Sequence, residues 1–298
     1  MHVFVTGASG WIGSATVDEL LAHRHTVTGL ARSDASAAAL QAKGAHVRRG
    51  DLDDLDSLRA GAHDADAVIH LANKHDFAHP AVSNAAERAA VQTISDTLAG
   101  TGRPFLLAAG VAGLTHGRPA TEDDPSPAHG PNSPRGGSEN LALEFADRGV
   151  HSVSLRFAPT VHGVGDHGFI AVIAALARAT GVSGYPGDGT HRWAAVHRSD
   201  AARLVALGLE KAPAGARLHA VAEQGVPTRE IAEAIGRAFD LPVASIAPED
   251  VQTHFGWIGT FFAMDLPATS TATRELLGWT PTGPTLLEDI GAGAYTVH

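Results

Sequence analysis

The sequence predicts an α/β protein built on a doubly wound parallel sheet. Three observations predict it. Short β-branched or apolar runs alternate with amphipathic stretches from His2 to Phe157. The first of these runs passes at once into a glycine-rich turn. With 44% hydrophobic and 18% charged residues over 298 positions, the chain has material for a large core and not for a disordered one. Alternating strands and helices close most simply as a parallel sheet with helices on both faces.

The elements follow in order. His2–Thr6 (HVFVT) reads as a buried parallel strand. Trp11–Ala22 has helical spacing, with Ile12, Val17, Leu20 and Leu21 apolar. A second strand fits His25–Leu30. Helical Ala35–Lys43 leads through Gly44 to a third strand at His46–Arg48. Leu55–Ala60 reads as helix, Ala67–Leu71 as a fourth strand and Asn84–Leu98 as a long helix. Pro104–Ala109 is a fifth strand, Ser138–Asp147 a helix and Val153–Phe157 a sixth strand. Arg118–Gly137, rich in Pro, Gly, Ser and Asp, reads as a long loop, a feature that is often functional. Beyond Pro159 the pattern is irregular until a strand at Trp193–His197, a helix at Ala201–Glu210 and an amphipathic helix at Thr228–Phe239. Thr253–Pro267 and Trp279–Pro284 read as irregular cover.

Composition narrows the function. Lys+Arg number 22 against 32 Asp+Glu, a net charge of −10. That balance argues against a nucleic-acid or anionic-membrane surface. The absence of cysteine excludes disulfides, thiolate metal sites and cysteine nucleophiles. Apolar runs such as Phe105–Leu114 and Phe169–Ala177 are too short to span a membrane, and no signal-peptide pattern opens the chain. The expectation is a cytoplasmic protein acting on a small molecule.

The strongest motif is Thr6-Gly7-Ala8-Ser9-Gly10-Trp11-Ile12-Gly13. Gly7 permits a tight turn, Gly10 lets backbone approach a pyrophosphate, and Gly13 lets helix pack on sheet. Free N–H groups at the helix start, including those near Trp11 and Ile12, suit phosphate, with Ser9 beside them. A dinucleotide cofactor is therefore expected. After the second strand the chain reads Ala31-Arg32-Ser33-Asp34. Arg32 and Ser33 at the ribose position favour the 2′-phosphate of NADP over NAD.

These motifs resemble a known family. TGASGWIG at Thr6–Gly13, GDLDDLDSL at Gly50–Leu58 and HLAN at His70–Asn73 are similar to the extended short-chain dehydrogenase/reductases, the NAD-dependent epimerase/dehydratase group. LRFAPTVHGVGD at Leu155–Asp166 and GDGTHRWAAVHRSDAARL at Gly187–Leu204 continue the resemblance. It implies a Rossmann-like domain of about seven strands and a smaller C-terminal substrate domain. The division expected is residues 1–158, with 193–221 returning to that domain, against 159–192 and 222–298. It also implies adenine contacts from Asp51 and Leu52, and a cofactor ribose lined by Ala72 and Asn73. Pairing into a homodimer through Asn84–Leu98 and Ser138–Asp147 would follow, using Ala85, Ala89, Ile94, Leu98, Leu141, Leu143 and Phe145.

The chain departs from the family pattern at the reaction centre. The resemblance implies a Tyr-x-x-x-Lys pair and a Ser or Thr on strand five. Only Lys43, Lys74 and Lys211 are available, and none has Tyr four positions before it. The register of Ser133–Phe145 puts Arg135 at the Tyr position and Glu139 at the Lys position. Ala108 and Ala109 stand at the strand-five position, which leaves Ala108 as a cofactor contact. Arg135 is then a candidate electrostatic clamp, or the partner of Glu139 in an i,i+4 pair. His162 is a candidate acid, and Tyr185 lies in a loop facing the expected cleft. Arg192 matches a family position that often contacts substrate. His75 and His79 have the spacing of a helical metal pair, but Pro80 follows and no glutamate completes it, so no metal is expected. The expected function is an NADPH-dependent reductase of a small carbonyl, enone or imine compound with a nonstandard site. The alternative is a nucleotide-binding protein without redox turnover, a sensor or an isomerase or cyclase using the cofactor as scaffold.

Overall fold

A computed structural model of the chain describes residues 1–76 and 78–296. The strands of the main sheet are β1 (His2–Thr6), β2 (Thr26–Ala31), β3 (His46–Arg49), β4 (Ala67–His70), β5 (Pro104–Gly110) and β6 (His151–Phe157). Between them run α1 (Trp11–Ala22), α2 (Asp34–Ala42), α3 (Leu55–Asp64), α4 (Pro80–Leu98) and α5 (Ser138–Glu144). Then come β7 (Thr160–His162), α6 (Phe169–Thr180), β8 (Ser183–Pro186), β9 (Arg192–His197), α7 (Arg198–Lys211) and β10 (Arg217–Ala220). The chain finishes with β11 (Glu223–Pro227), α8 (Thr228–Phe239), β12 (Val243–Ile246), α9 (Val251–Phe255), α10 (Ile258–Phe262), α11 (Thr271–Leu277) and α12 (Leu286–Gly291).

Seven strands form one sheet in the order β3-β2-β1-β4-β5-β6-β10, every neighbouring pair parallel. Val3, Val5, Ile69 and Leu106 face a core completed by Val17 and Leu20 of α1 and Leu204 and Val205 of α7. On the other face Phe4, Val68, Phe105 and Leu107 pack with Leu58, Val91, Ile94, Leu98 and Leu141 from α3, α4 and α5. Period-two alternation therefore decides which helix layer each strand residue meets.

A third core gathers Ile170, Ile173, Trp193, Ile231, Ile235, Phe255, Phe262, Leu286 and Tyr295. Strand β9 serves two cores at once: Ala194 and Val196 enter the sheet core, while Trp193 and Ala195 enter this one. A three-stranded sheet β11-β9-β7 and a β8-β12 pair accompany it.

The structure corrects several sequence expectations. The stretch after Pro159 is regular, holding β7, α6 and β8. Helix α6 buries Ile170, Ile173, Ala174 and Ala177 at helical spacing inside the uninterrupted apolar run Phe169–Ala177, and ends at Gly181 in the left-handed region. Thr253–Pro267 likewise holds α10 and part of α9. The long loop has only the 3₁₀ turn Pro134–Gly137 and a bridge from Ala120 to Ala268. Of the seven residues expected to supply a dimer face, Ile94, Leu98, Leu141 and Phe145 are buried within the chain, so they offer no surface to a second copy. Among the described residues, no helix is long and apolar enough to cross a membrane.

Candidate functional site

The sheet order reverses at β1, with β2 on one side and β4 on the other. Ligands of open α/β sheets bind beyond the carboxyl ends of strands at such a point. Here those ends are Thr6 and His70. Gly7 has φ +67°, and a Cβ on it would lie 2.7 Å from the Ala72 nitrogen. A Cβ on Gly13 would lie 2.0 Å from the Gly7 carbonyl oxygen. Gly10 precedes helix α1 as its cap and supplies no side-chain hydrogen bond, leaving the first-turn N–H groups beside exposed Ser9 and Gly10. Half-buried Trp11 borders the turn. Its indole donates to the Val161 carbonyl (2.7 Å), its own carbonyl accepts from Arg198 Nε (2.6 Å), and that guanidinium lies 4.2 Å over the ring.

A polar network leads from the turn to Arg135. Thr6 Oγ1 is 2.8 Å from His70 Nδ1, and His70 Nε2 is 3.9 Å from Glu87 Oε2. Glu87, fully buried on α4, accepts from Asn73 Nδ2 (3.1 Å) and from Arg135 Nη2 (2.6 Å). Burial raises the Glu87 pKa, but Arg135 and His70 outweigh it and hold the carboxyl down at about 2. The Asn73 side-chain oxygen accepts from the His75 N–H (2.8 Å). Burial pushes the His75 imidazole below its ordinary value, and the charges of Arg135 and His167 push it further; Glu87 opposes them. The His167 ring in turn meets Trp11 edge-on at 5.8 Å. Arg135, His75 and His167 are thus electrostatic neighbours, with Arg135 anchored on α4 and His167 on Trp11 of α1.

A second group lies under the β7 end. His162 is fully buried, with Nδ1 2.6 Å from Asp289 and Nε2 3.7 Å from Glu223. His197 Nε2 is 3.8 Å from Asp289. Tyr295 donates to Asp166 (2.8 Å). Burial raises Asp166 and Glu223 above the usual carboxylate range, and lowers His162 against the opposing pull of Asp289.

Comparison with known proteins gives this arrangement a family. The NAD dependent epimerase/dehydratase family model matches residues 3–221. The chain belongs to that family. An uncharacterized protein of Schizosaccharomyces pombe is 43% identical over 296 residues, 99% of this chain and 100% of that one. An uncharacterized protein of Saccharomyces cerevisiae is 43% identical over 294 residues, 98% of each chain. Among solved structures, a dTDP-glucose 4,6-dehydratase from Streptomyces venezuelae with NAD bound superposes with TM-score 0.77 at 22% identity, covering 99% of this chain and 96% of that one. The UDP-glucose 4-epimerase of Thermotoga maritima, with UDP-glucose, gives 0.76 at 20%, covering 99% and 98%. These two likenesses concern the fold.

Within this family member the sequence-predicted residues fall into distinct places. Gly7, Ser9, Gly10, Trp11 and Ile12 form the turn, and the half-buried Ala72 N–H donates to Thr6 Oγ1 (3.4 Å). Asp51 is exposed and accepts from the Asp53 and Asp54 N–H groups, while Leu52 packs into the core. Ser33 caps α2 by accepting from the Ser36 N–H, and Arg32 is exposed beside it. Ala108 is buried on β5.

Arg135 does not pair with Glu139. It occupies the 3₁₀ turn with φ +54°, off the helix, and binds Glu87 instead. Glu139 binds Arg156 Nε (2.7 Å) and Ser154 (2.8 Å) beneath α5. His162 is enclosed by acids rather than open to a cleft. Tyr185 sits on β8 with Arg229 5.0 Å over its ring. Arg192 is held by Asp265 (3.1 Å). His75 and His79 share no helix face, since His75 has φ +50° and His79 precedes α4, bound to Asp76. Nothing in the sequence reading singles out Glu87 or His167, and His75 enters it only as half of a metal pair.

Proposed function

We propose that the protein is an NADPH-dependent reductase of a small carbonyl, enone or imine compound, with residues 1–158 and 193–221 holding cofactor and 159–192 and 222–298 facing substrate. The glycine turn supports dinucleotide binding, because its close approaches and uncapped helix start leave N–H groups for a pyrophosphate. Gly7, Ser9, Gly10, Trp11 and Ile12 would hold that group. Arg32 and Ser33 would hold the adenosine ribose, Asp51 and Leu52 the adenine, and Ala72, Asn73 and Ala108 the nicotinamide side. When bound, the cofactor supplies hydride.

The observation that carries the reductase reading is the buried Glu87 carboxylate aimed at Arg135. The guanidinium of Arg135 is a donor of fixed geometry, so its role is to stabilise negative charge on a substrate oxygen or nitrogen. Glu87 and Asn84, which accepts from the Arg135 N–H (2.9 Å), fix its position. His75, exposed and anchored through its N–H to Asn73 (2.8 Å) beside the Glu87–Arg135 pair, is the candidate to relay a proton from solvent, in place of buried His162.

The test is NADPH absorbance across a carbonyl and imine panel, with Arg135→Ala. We expect a loss of at least about tenfold in kcat and little change in NADPH affinity. Unchanged turnover of a true substrate would overturn the role. The missing Tyr-x-x-x-Lys pair favours one second reading, an isomerase or cyclase. It predicts substrate conversion with NADPH absorbance unchanged. The proposal includes a homodimer and a cytoplasmic setting.

A further inference from the structure

We infer that Arg49, at the end of β3, is a second residue for the ribose 2′-phosphate and determines cofactor choice together with Arg32. The inference deepens the NADPH reading and rests on it. Strands β2 and β3 are parallel with Ala31 opposite Arg49. The chain therefore leaves β2 at Arg32 immediately beside Arg49, one strand spacing away. The Arg49 guanidinium bends back over the β2–α2 connection. Its Nη1 donates to the Ser33 carbonyl (2.6 Å) and its Nη2 to Asp34 Oδ1 (2.7 Å). Its own carbonyl accepts from Ser57 (2.8 Å), which fixes the base of the side chain. Arg48 takes no part, being turned to Asp64 (2.6 Å).

Two consequences follow from this geometry. First, the Arg49 guanidinium lies against the Ser33 cap of α2, with exposed Arg32 the residue just before that cap, so one placed guanidinium, a helix start and a neighbouring arginine share this connection. The Asp34 side chain is fully exposed and that of Arg49 is 52% exposed, so the pair is readily exchanged for a phosphate of higher charge. Second, Asp34, in the first turn of α2, is a carboxylate that could accept from a ribose 2′-hydroxyl, as an NAD site requires. Arg49 occupies it, which weakens that competing mode.

The experiment is titration of NADPH and NADH against wild type, Arg32→Ala, Arg49→Ala and Asp34→Asn, read by tryptophan fluorescence, with circular dichroism melts to confirm folding. Arg49→Ala should weaken NADPH binding about tenfold or more and leave NADH unchanged or up to about threefold tighter, since it frees Asp34. It should also flatten the salt dependence of NADPH binding. Asp34→Asn should tighten NADPH. An Arg49→Ala protein with NADPH affinity unchanged, beside a wild type that prefers NADPH and an Arg32→Ala protein that does not, overturns the role of Arg49 and leaves the cofactor reading standing. A wild type that binds NADH as tightly as NADPH overturns the cofactor reading itself.

Discussion

Replacing Glu87 by Gln should loosen the protein and disable Arg135 together. The Glu87 side chain is fully buried and meets Arg135 at 2.6 Å, Asn73 at 3.1 Å and His70 at 3.9 Å. Breaking a buried pair by removing one partner costs about 3–5 kcal/mol. The Arg135 side chain is 34% exposed and can recover some hydration, so the loss here should be nearer ~2–3 kcal/mol. At roughly 2–4 °C per kcal/mol for a chain of this size, the melting temperature should fall by about 4–12 °C. The pH dependence has a defined sign. The folded carboxyl is held at about 2 against an ordinary value of 4.5. Its contribution is therefore complete above 4.5 and is lost as pH falls toward 2. Gln has no such proton equilibrium, so the gap between wild type and variant should narrow through that window. Thermal denaturation from pH 7 to pH 3 measures it, and turnover at pH 7 reads the effect on Arg135. A variant melting within 1 °C of wild type, about the error of the method, would refute the reasoning.

Asp289→Asn should destabilise by about 1–2 kcal/mol at pH 7, since a buried imidazole loses a charged acceptor. Burial holds the folded His162 pKa low and Asp289 partly restores it, so the variant's folded pKa drops further. Both proteins lose stability alike as pH first falls below 6.5, so the deficit should grow only further down, where the wild-type folded His162 takes up a proton that the variant's does not; a deficit constant down the whole acid limb would count against the pair. Relief of crowding with Glu223 and Asp166 sets the lower end of the range. Sedimentation should show a dimer formed through the outer faces of α4 and α5, where Val82 and Ala85 are exposed; a monomer at all concentrations removes that part of the proposal.

The architecture was legible because strand and turn chemistry are local. HVFVT followed by TGASGWIG fixes both a parallel strand and the turn after it, and β1 and α1 have the predicted bounds. Helix α6 was harder to read because its buried period, Ile170, Ile173, Ala174 and Ala177, lies inside an uninterrupted apolar run with polar residues only in the last turn. The partners of Arg135 and Glu139 were illegible because they are contacts across the fold. Glu87 lies 48 residues from Arg135, and Arg156 lies 17 from Glu139. An i,i+4 rule applies only on a continuous helix, and the left-handed backbone at Arg135 and Gly136 breaks it.

One signal for the site was nevertheless present in the sequence. Along α4 the buried residues Ser83, Ala86, Glu87, Ala90, Val91, Ile94, Ser95 and Leu98 recur every three or four positions. Glu87 is a carboxylate in the middle of that stripe. A carboxylate cannot enter a core face ionised without a cation to meet it. Its presence there already requires a basic residue to arrive from elsewhere, and Arg135, followed by two glycines, is able to turn inward. The same physics explains how the two positions divide their work. Glu139 faces the buried guanidinium of Arg156 and is spent on holding β6 to α5, whereas Arg135 keeps a third of its side chain exposed. Of the two residues that the family resemblance sets against the Tyr-x-x-x-Lys pair, only Arg135 has a partly exposed side chain, and on the proposed function that is why its loss is expected to lower turnover rather than only stability.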